Sequence, residues 1–171
     1  MRGRRQLGFM FGIAAGGLLG AYLLLTLVLD RGLWGTTNQG EFVVPGLMVD
    51  QLQLRDSEGR QFATDGQWWV WVVGDVCEQA CLAAAEGVAL VRLRLHKDAP
   101  RVRQAVLVAR PLEQRLPVME LPTYHGALGV LTPGVYIVDP LGNVVLRYSH
   151  EQVGKPLLDD LKHLLKVSQI G

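Results

Sequence analysis

The sequence predicts an α/β domain, one β-sheet covered by helices, that follows a single transmembrane helix. A long apolar run without a charged side chain occupies residues 7–29, close to the N-terminus. Beyond it, short β-rich runs alternate with two amphipathic helical patterns, which is typical of a sheet flanked by helices. The only two cysteines, Cys77 and Cys81, lie where one of these β-rich runs turns into a helix.

The composition excludes several classes of protein. The chain has 171 residues, of which 49% are apolar, too many for a disordered chain. Two cysteines are too few for a disulfide-dense secreted scaffold or a four-cysteine zinc ribbon. The formal net charge of +1 argues against binding nucleic acid through bulk charge. The length suits one globular domain besides the apolar segment.

The segment Leu7–Leu29 is predicted to span a membrane. Its 23 residues would form a helix about 35 Å long, enough to cross about 30 Å of hydrocarbon. Arg2, Arg4 and Arg5 precede it, so the positive-inside bias places residues 1–6 in the cytoplasm and the rest of the chain outside. A cleaved signal peptide is the alternative, but the run is longer than an ordinary signal core and no clear cleavage site follows it.

Glycines recur every four residues within this segment. The three overlapping G-x-x-x-G steps form a stripe of small residues along which another helix could approach closely. The partner would be a second copy of the chain or another membrane protein, although glycine is common in membrane helices in any case. The stripe consists of Gly8, Gly12, Gly16 and Gly20.

Residues 30–44 are predicted to be a linker and residues 45–171 a folded domain on the far side of the membrane. Met48–Leu54 alternates apolar and polar residues as a strand does, and Gln61–Thr64 is a candidate for its hairpin partner. Trp68–Val73 is a continuous β-rich run, which predicts a buried central strand. Its three tryptophans are interpreted as core residues rather than as a platform for a ligand.

A helix is predicted for Cys77–Leu95, because apolar residues recur there every three or four positions. Ala105–Ala109 follows as a second short buried strand, Pro111–Arg115 as a short helix and Leu116–Leu131 as an irregular segment. The apolar stripe of the long helix consists of Cys77, Cys81, Ala84, Val88, Val91 and Leu95.

A hairpin and a final helix are predicted to complete the domain. Val135–Val138 and Val144–Tyr148 are β-rich and flank a turn that contains proline and glycine. The last helix starts near Pro156, a residue type favoured in the first helical turn. Its buried face is predicted to consist of Leu157, Leu158, Leu161, Leu164 and Leu165.

Cys77 and Cys81 are the candidate functional residues. Residues four apart on a helix have β-carbons about 5–6 Å apart, so modest adjustment would allow a disulfide, and two thiolates could instead hold Cu(I). The helix N-terminus favours a thiolate, most of all at Cys77, whereas the neighbouring Glu78 opposes it. Because both cysteines also lie on the apolar stripe, a purely structural role is the alternative.

The order of these elements resembles the thioredoxin superfamily. Pro133, three residues before Tyr136, stands where many relatives carry a cis-proline beside the redox site. The cysteine spacing, the apolar N-terminal segment and the Tyr-Ile-Val-Asp-Pro-x-Gly hairpin are more specific and resemble the Sco/SenC proteins, anchored copper and thiol factors for cytochrome c oxidase. Residues 161–171 resemble the tail of small Sco-related proteins that accompany bacterial oxidase genes.

The resemblance implies an assembly factor for a haem-copper oxidase, anchored in the bacterial inner membrane with its domain in the periplasm. Cys77 and Cys81 would then cycle between dithiol and disulfide, or transiently hold Cu(I), and an oxidase subunit in the membrane would be the partner. Two alternatives stay open. One is a docking module with structural cysteines, and the other is a general periplasmic thiol oxidoreductase without a link to the oxidase.

The sequence departs from the Sco pattern at two positions. Glu78 stands where Sco proteins have a proline, and Leu131 and Thr132 occupy the neighbourhood of the family's copper-binding histidine. His125, in the same irregular segment, is the candidate substitute ligand, with a solvated loop residue as the alternative. The remaining histidines are not expected to be ligands; they are His96, His150 and His163.

Overall fold

The computed structural model describes residues 2–30, 38–109 and 121–168. The chain divides into two units, Met1–Thr37 and Asn38–Gly171. In the first unit, helix α1 spans Arg2–Asp30 and contains the whole predicted span 7–29. Among the described residues, no helix combines the length and the hydropathy needed to cross a membrane. The membrane span therefore stays a prediction.

The glycine stripe lies in α1. A β-carbon added at Gly12, Gly16 or Gly20 would meet no atom within 4 Å outside the neighbouring backbone of the helix itself. The partner of the stripe stays a prediction.

The second unit is built on one seven-stranded sheet, in the order β1-β7-β6-β3-β4-β5-β2. β3 lies at its centre, parallel to β4 and antiparallel to β6, while β6 and β7 form a hairpin. The strands are β1 Glu41–Met48, β2 Arg55–Asp56, β3 Trp68–Gly74, β4 Val102–Val108, β5 Thr123–His125, β6 Gly134–Val138 and β7 Asn143–Tyr148. The two α-helices described in this unit are α2 Gln79–Leu93 and α3 Lys155–Val167.

The core has two layers, one on each face of the sheet. Residues of α2 and α3 pack on one face, together with both cysteines. The other face carries an aromatic group in which Phe62 meets Trp69, Trp71 and Tyr124 edge to face, with ring centroids 4.8–5.3 Å apart. Every residue of β3 is buried, because helices cover one face and this aromatic group covers the other. The predicted central strand and the core role of its tryptophans are confirmed.

The start of the domain differs from the prediction. β1 begins at Glu41, inside the predicted linker 30–44, and most of the predicted strand Met48–Leu54 is a 3-10 helix, Val49–Leu52. β1 contains Pro45 and Gly46, which weaken a strand pattern but are tolerated at the sheet edge where β1 lies. In the 3-10 helix, a spacing of three residues brings Val49 and Leu52 into the core together.

The segment before the hairpin also differs. The predicted irregular segment Leu116–Leu131 contains strand β5, and the predicted hairpin arm Gln61–Thr64 makes only an isolated bridge between Gln61 and Arg55. β2 pairs with β5 instead, with Arg55 opposite His125. The predicted helix Pro111–Arg115 lies outside the described residues.

The predicted hairpin, the terminal helix and the cysteine-bearing helix are all present. α2 starts at Gln79 rather than at Cys77, because the main chain turns before it and Glu78 N donates to Val76 O at 2.9 Å. α3 has Pro156 in its first turn, as predicted. The Thr132–Pro133 bond is trans; the cis peptide bond of the described residues is Val44–Pro45.

Candidate functional site

The candidate site lies where the central strand ends and the first long helix of the domain begins. β3 stops at Gly74, the chain turns through residues 75–78, and α2 starts at Gln79. Cys77 therefore lies just before the helix and Cys81 lies in its first turn. The two are joined by a disulfide, with 2.00 Å between the sulfur atoms and 5.1 Å between the α-carbons.

The two sulfurs are held in an apolar setting. Cys77 is 8% exposed and Cys81 is 2% exposed, and both belong to the core cluster under α2 and α3. Gly74 runs close beneath the disulfide, because a β-carbon added there would lie 3.6 Å from Cys81 Sγ. The cysteines are therefore both members of the apolar stripe, as the structural alternative requires, and partners in a bond that can be reduced.

The start of α2 provides the electrostatic setting. Glu78 is the N-cap residue, is exposed, and makes no capping hydrogen bond with its side chain. The first-turn N–H groups of the helix therefore receive no acceptor from the side chain of Glu78. Such groups and the helix dipole stabilise an anion, which a reduced cysteine beside them supplies as a thiolate.

His125 does not join the cysteines in a metal cluster. It ends β5, opposite Val108 of β4, and Val108 in turn lies opposite Gly74 of β3. Two strand spacings therefore separate His125 from Gly74, roughly 10 Å along the sheet edge. Across the described residues, no group of three or more His, Cys, Asp or Glu side chains is arranged to hold a metal ion.

Leu131 and Thr132 occupy the neighbourhood in which the resemblance to Sco proteins would place a copper-binding histidine. Leu131 is 8% exposed and packs in the core layer that contains Trp71. Thr132, beside it, is exposed, and its hydroxyl lies 3.3 Å from the hydroxyl of Tyr136. The structure therefore places neither an imidazole nor a thiol there.

A different histidine reaches the edge of the site. His150 Nε2 lies 3.1 Å from the carbonyl oxygen of Val73, one residue before the end of β3. Sequence reasoning set His150 aside because it follows a strand. The contact joins residues 77 positions apart, and neither periodicity nor motif spacing signals a pairing at that distance.

A buried carboxylate fastens the start of the domain to its last helix. Asp160 Oδ2 accepts hydrogen bonds from Gln39 N at 2.8 Å, from Gly40 N at 2.9 Å and from Tyr148 Oη at 2.6 Å. Burial raises the pKa of Tyr148 far above its usual value, and the hydrogen bond to Asp160 and its charge raise the pKa further. This cluster contains no thiol and is structural.

Comparison with solved structures identifies the fold. Yeast Sco1 with copper bound matches with a TM-score of 0.54 at 16% identity, over 78% of this chain and 96% of that one. Copper-bound ScoI of Arabidopsis thaliana matches with 0.53 at 12% identity, over 75% and 99%. BsSco, described as a member of the Sco family of cytochrome c oxidase assembly proteins and as having a disulfide switch, matches with 0.50 at 13% identity, over 77% and 98%.

At these identities the likeness establishes a shared thioredoxin-like fold. No curated protein matches the sequence. The model of one family, described as transmembrane-like, thioredoxin-like, C-terminal domain, matches residues 68–168. That match covers more than half of the chain and includes β3, the cysteine pair, the β6–β7 hairpin and α3. The predicted thioredoxin-like α/β fold is therefore confirmed, while the transmembrane helix before it stays a prediction. The chain belongs to the transmembrane-like, thioredoxin-like family.

Proposed function

We propose that the protein is a membrane-anchored thiol–disulfide factor that serves the assembly of a haem-copper oxidase. The observation that carries the proposal is the Cys77–Cys81 disulfide beyond the end of the central strand, with Cys77 two residues before the start of α2. A cysteine pair would be inert if both residues were fully enclosed, but Cys77 retains 8% exposure.

The reduced pair would donate two electrons to a disulfide in a partner protein. The Cys77 thiolate attacks one sulfur of the partner disulfide, which forms a mixed disulfide and releases the other partner sulfur as a thiolate. The Cys81 thiolate then attacks Cys77 Sγ, which closes the intramolecular disulfide and leaves the partner as a dithiol. Run in reverse, the same steps oxidise a partner dithiol.

The roles follow from burial. Cys77 is the attacking residue because it is the more exposed cysteine and lies at the N-terminal end of α2, which the side chain of Glu78 does not cap. Cys81 is the resolving residue because it is nearly enclosed beside Gly74. Its sulfur can react with Cys77 of the same chain, whereas a bulky partner protein cannot approach it.

The cellular setting is part of the proposal. The uncharged run at residues 7–29 lies within one continuous helix, α1, and arginines precede it. This supports a single-pass anchor with the domain in the bacterial periplasm, a compartment in which disulfides form and persist. The glycine stripe of α1 would contact either a second copy or a membrane-embedded subunit of the oxidase.

The link to the oxidase rests on the fold shared with Sco proteins, of which BsSco is described as belonging to cytochrome c oxidase assembly proteins. We propose that the partner is a copper-binding subunit of the oxidase, whose cysteines this protein keeps in the correct redox state. A general thiol oxidoreductase would act equally on unrelated disulfides, and a docking module would act on none.

Copper as cargo is a second candidate, favoured by the copper-bound Sco structures that share the fold. When reduced, Cys77 and Cys81 provide two thiolates, which are suitable donors for Cu(I). Leu131 provides no third donor, and the described residues bring no histidine into a cluster with the cysteines. Titration of the reduced full chain with Cu(I) against glutathione tests this role; failure to compete would exclude it.

Trapping the mixed disulfide tests the thiol mechanism. Substitution Cys81→Ser removes the resolving sulfur, so Cys77 is expected to remain bonded to its partner, and mass spectrometry should identify the copper-binding oxidase subunit. Cys77→Ser is the matched control and should trap far less. Equal trapping of many unrelated proteins would favour the general oxidoreductase, and the absence of trapped protein would favour the docking module.

A further inference from the structure

We propose that His150 is a positioning residue for the redox pair: it holds the end of β3, from which the chain reaches Cys77, and so favours the disulfide. The inference rests on the proposed thiol–disulfide function and adds a residue to it. His150 is half-buried in a short 3-10 helix, His150–Gln152, between β7 and α3.

The contact has a defined direction. His150 Nε2 lies 3.1 Å from Val73 O, and a carbonyl oxygen can only accept, so Nε2 carries the hydrogen. Val73 is followed directly by Gly74, the residue that runs beneath Cys81 Sγ. The histidine therefore fixes the main chain one residue before the point where the strand meets the disulfide.

The start of β6 lies beside the end of β3. Val73 lies opposite Gly134, the first residue of β6. Gly134 also lets the end of β7 approach closely, because a β-carbon there would lie 2.5 Å from Tyr148 O. The chain leaving β7 can thus reach across to β3, where the imidazole contacts the carbonyl oxygen of Val73.

The 3-10 helix that carries His150 is itself held in place. Ser149 N donates to Gln152 Oε1 at 2.8 Å, and Gln152 N donates to Ser149 O at 3.1 Å. Val153 then packs against α2, since a β-carbon added at Gly87 would lie 2.7 Å from Val153 Cγ1. The segment 149–153 therefore contacts both β3 and α2, the two elements that the cysteine-bearing turn connects.

The effect on the redox pair follows from this arrangement. The turn of residues 75–78 connects the end of β3 to the start of α2, so the position of the strand end constrains where Cys77 lies relative to Cys81. The observed hydrogen bond belongs to the disulfide state. Removing it frees the end of β3 and should make the disulfide easier to reduce.

Two amide substitutions in the full chain test this proposal. His150→Gln keeps an N–H donor at about the same reach, whereas His150→Asn is too short to reach Val73 O. After equilibration with reduced and oxidised glutathione, we expect His150→Asn to shift the dithiol–disulfide equilibrium at least threefold toward the dithiol, about 14 mV. His150→Gln should stay close to the wild-type protein, as should His163→Asn, an exposed histidine of α3.

The outcomes separate this inference from the proposed function. An unchanged equilibrium in His150→Asn, or an equal shift in His150→Gln and His150→Asn, would overturn the positioning role. If His150→Asn fails to fold, an altered equilibrium in His150→Gln alone would overturn it as well. None of these results depends on the oxidase, so the thiol function can survive while the role of His150 fails, or the reverse.

Discussion

Cys77 and Cys81 are joined by a disulfide but lie in different environments. Cys77 lies before the helix and retains 8% exposure, whereas Cys81 lies inside the first turn and retains 2%. Glu78, next to Cys77, has an exposed carboxylate. His150 contacts the main-chain oxygen of Val73, near the end of β3. At this scale, the chemistry depends on the difference in reactivity between the two thiols once the disulfide is reduced.

The first prediction concerns that inequality. In the reduced protein, we expect iodoacetamide to modify Cys77 at least about tenfold faster than Cys81, because Cys77 is more exposed and lies at the positive end of α2. Mass spectrometry of peptides taken over time measures both rates in one sample. Faster modification of Cys81 would reverse the assigned roles of attack and resolution.

The second prediction concerns Tyr148. Burial first, and then the hydrogen bond to Asp160, raise the pKa of this phenol in the folded protein. The unfolded chain releases the proton near the usual pKa of about 10, while the folded protein keeps it. Stability that is present below about pH 10 is therefore lost as the pH rises further.

Urea unfolding between pH 8 and pH 11 measures this loss. The wild-type protein should lose stability above about pH 10. The Tyr148→Phe variant should lose less stability, because phenylalanine has no ionisable hydroxyl group. Some loss should remain in the variant, since burial also raises the pKa of Tyr124. Identical pH profiles for the two proteins would show that Tyr148 does not contribute.

Sequence reasoning identified the cysteine pair but not its neighbours. Two cysteines four apart at a strand-to-helix turn are visible in the sequence, because the pairing is local. The contact of His150 with Val73 and that of Asp160 with Gly40 each join distant parts of the chain. Such contacts depend on the sheet order, which a single sequence without a structure does not provide.

At the scale of elements, the hairpin of β6 and β7 brings His150 to the end of β3. β6 pairs directly with β3, and the chain leaving β7 carries His150 back across it. Close approach at Gly134 is the physical requirement for this path, because the carbonyl oxygen of Tyr148 occupies the place of a side chain.

The third prediction tests that approach. Gly134→Ala would place a β-carbon 2.5 Å from the main-chain oxygen of Tyr148, and main chain in a sheet cannot move aside easily. We expect a loss of about 1–3 kcal/mol in the free energy of unfolding, the usual cost of overpacking. Gly129→Ala is the control, because a β-carbon there meets nothing within 4 Å. Equal stability of the two variants in urea unfolding would contradict the packing described.

Elements with strong local patterns were predicted well, and elements defined by pairing were not. Trp68–Gly74 and the hairpin have continuous β-rich runs, so their strands were recognisable. β5 has three residues and β1 contains Pro45 and Gly46. Both form because a neighbouring strand offers hydrogen bonds, which leaves little trace in the residues themselves.

At the scale of the whole molecule, the domain joins a fold shared with Sco proteins to an altered site. The thioredoxin-like sheet and the cysteine pair are present, while a buried leucine, Leu131, stands in the neighbourhood where the resemblance to Sco proteins would place a histidine. This combination is the basis for proposing electron exchange through sulfur as the function. The apolar helix α1 would hold that chemistry beside a membrane-embedded partner.

The most direct test of the proposed function is to measure oxidase activity in cells that produce the Cys77→Ser, Cys81→Ser double variant in place of the wild-type protein. Immunoblotting should first show that the variant reaches the wild-type amount, and a strain lacking the protein provides the lower reference. We predict that oxidase activity in membranes falls to the level of that strain. Wild-type oxidase activity with the double variant would contradict the account and leave only a docking role for the domain.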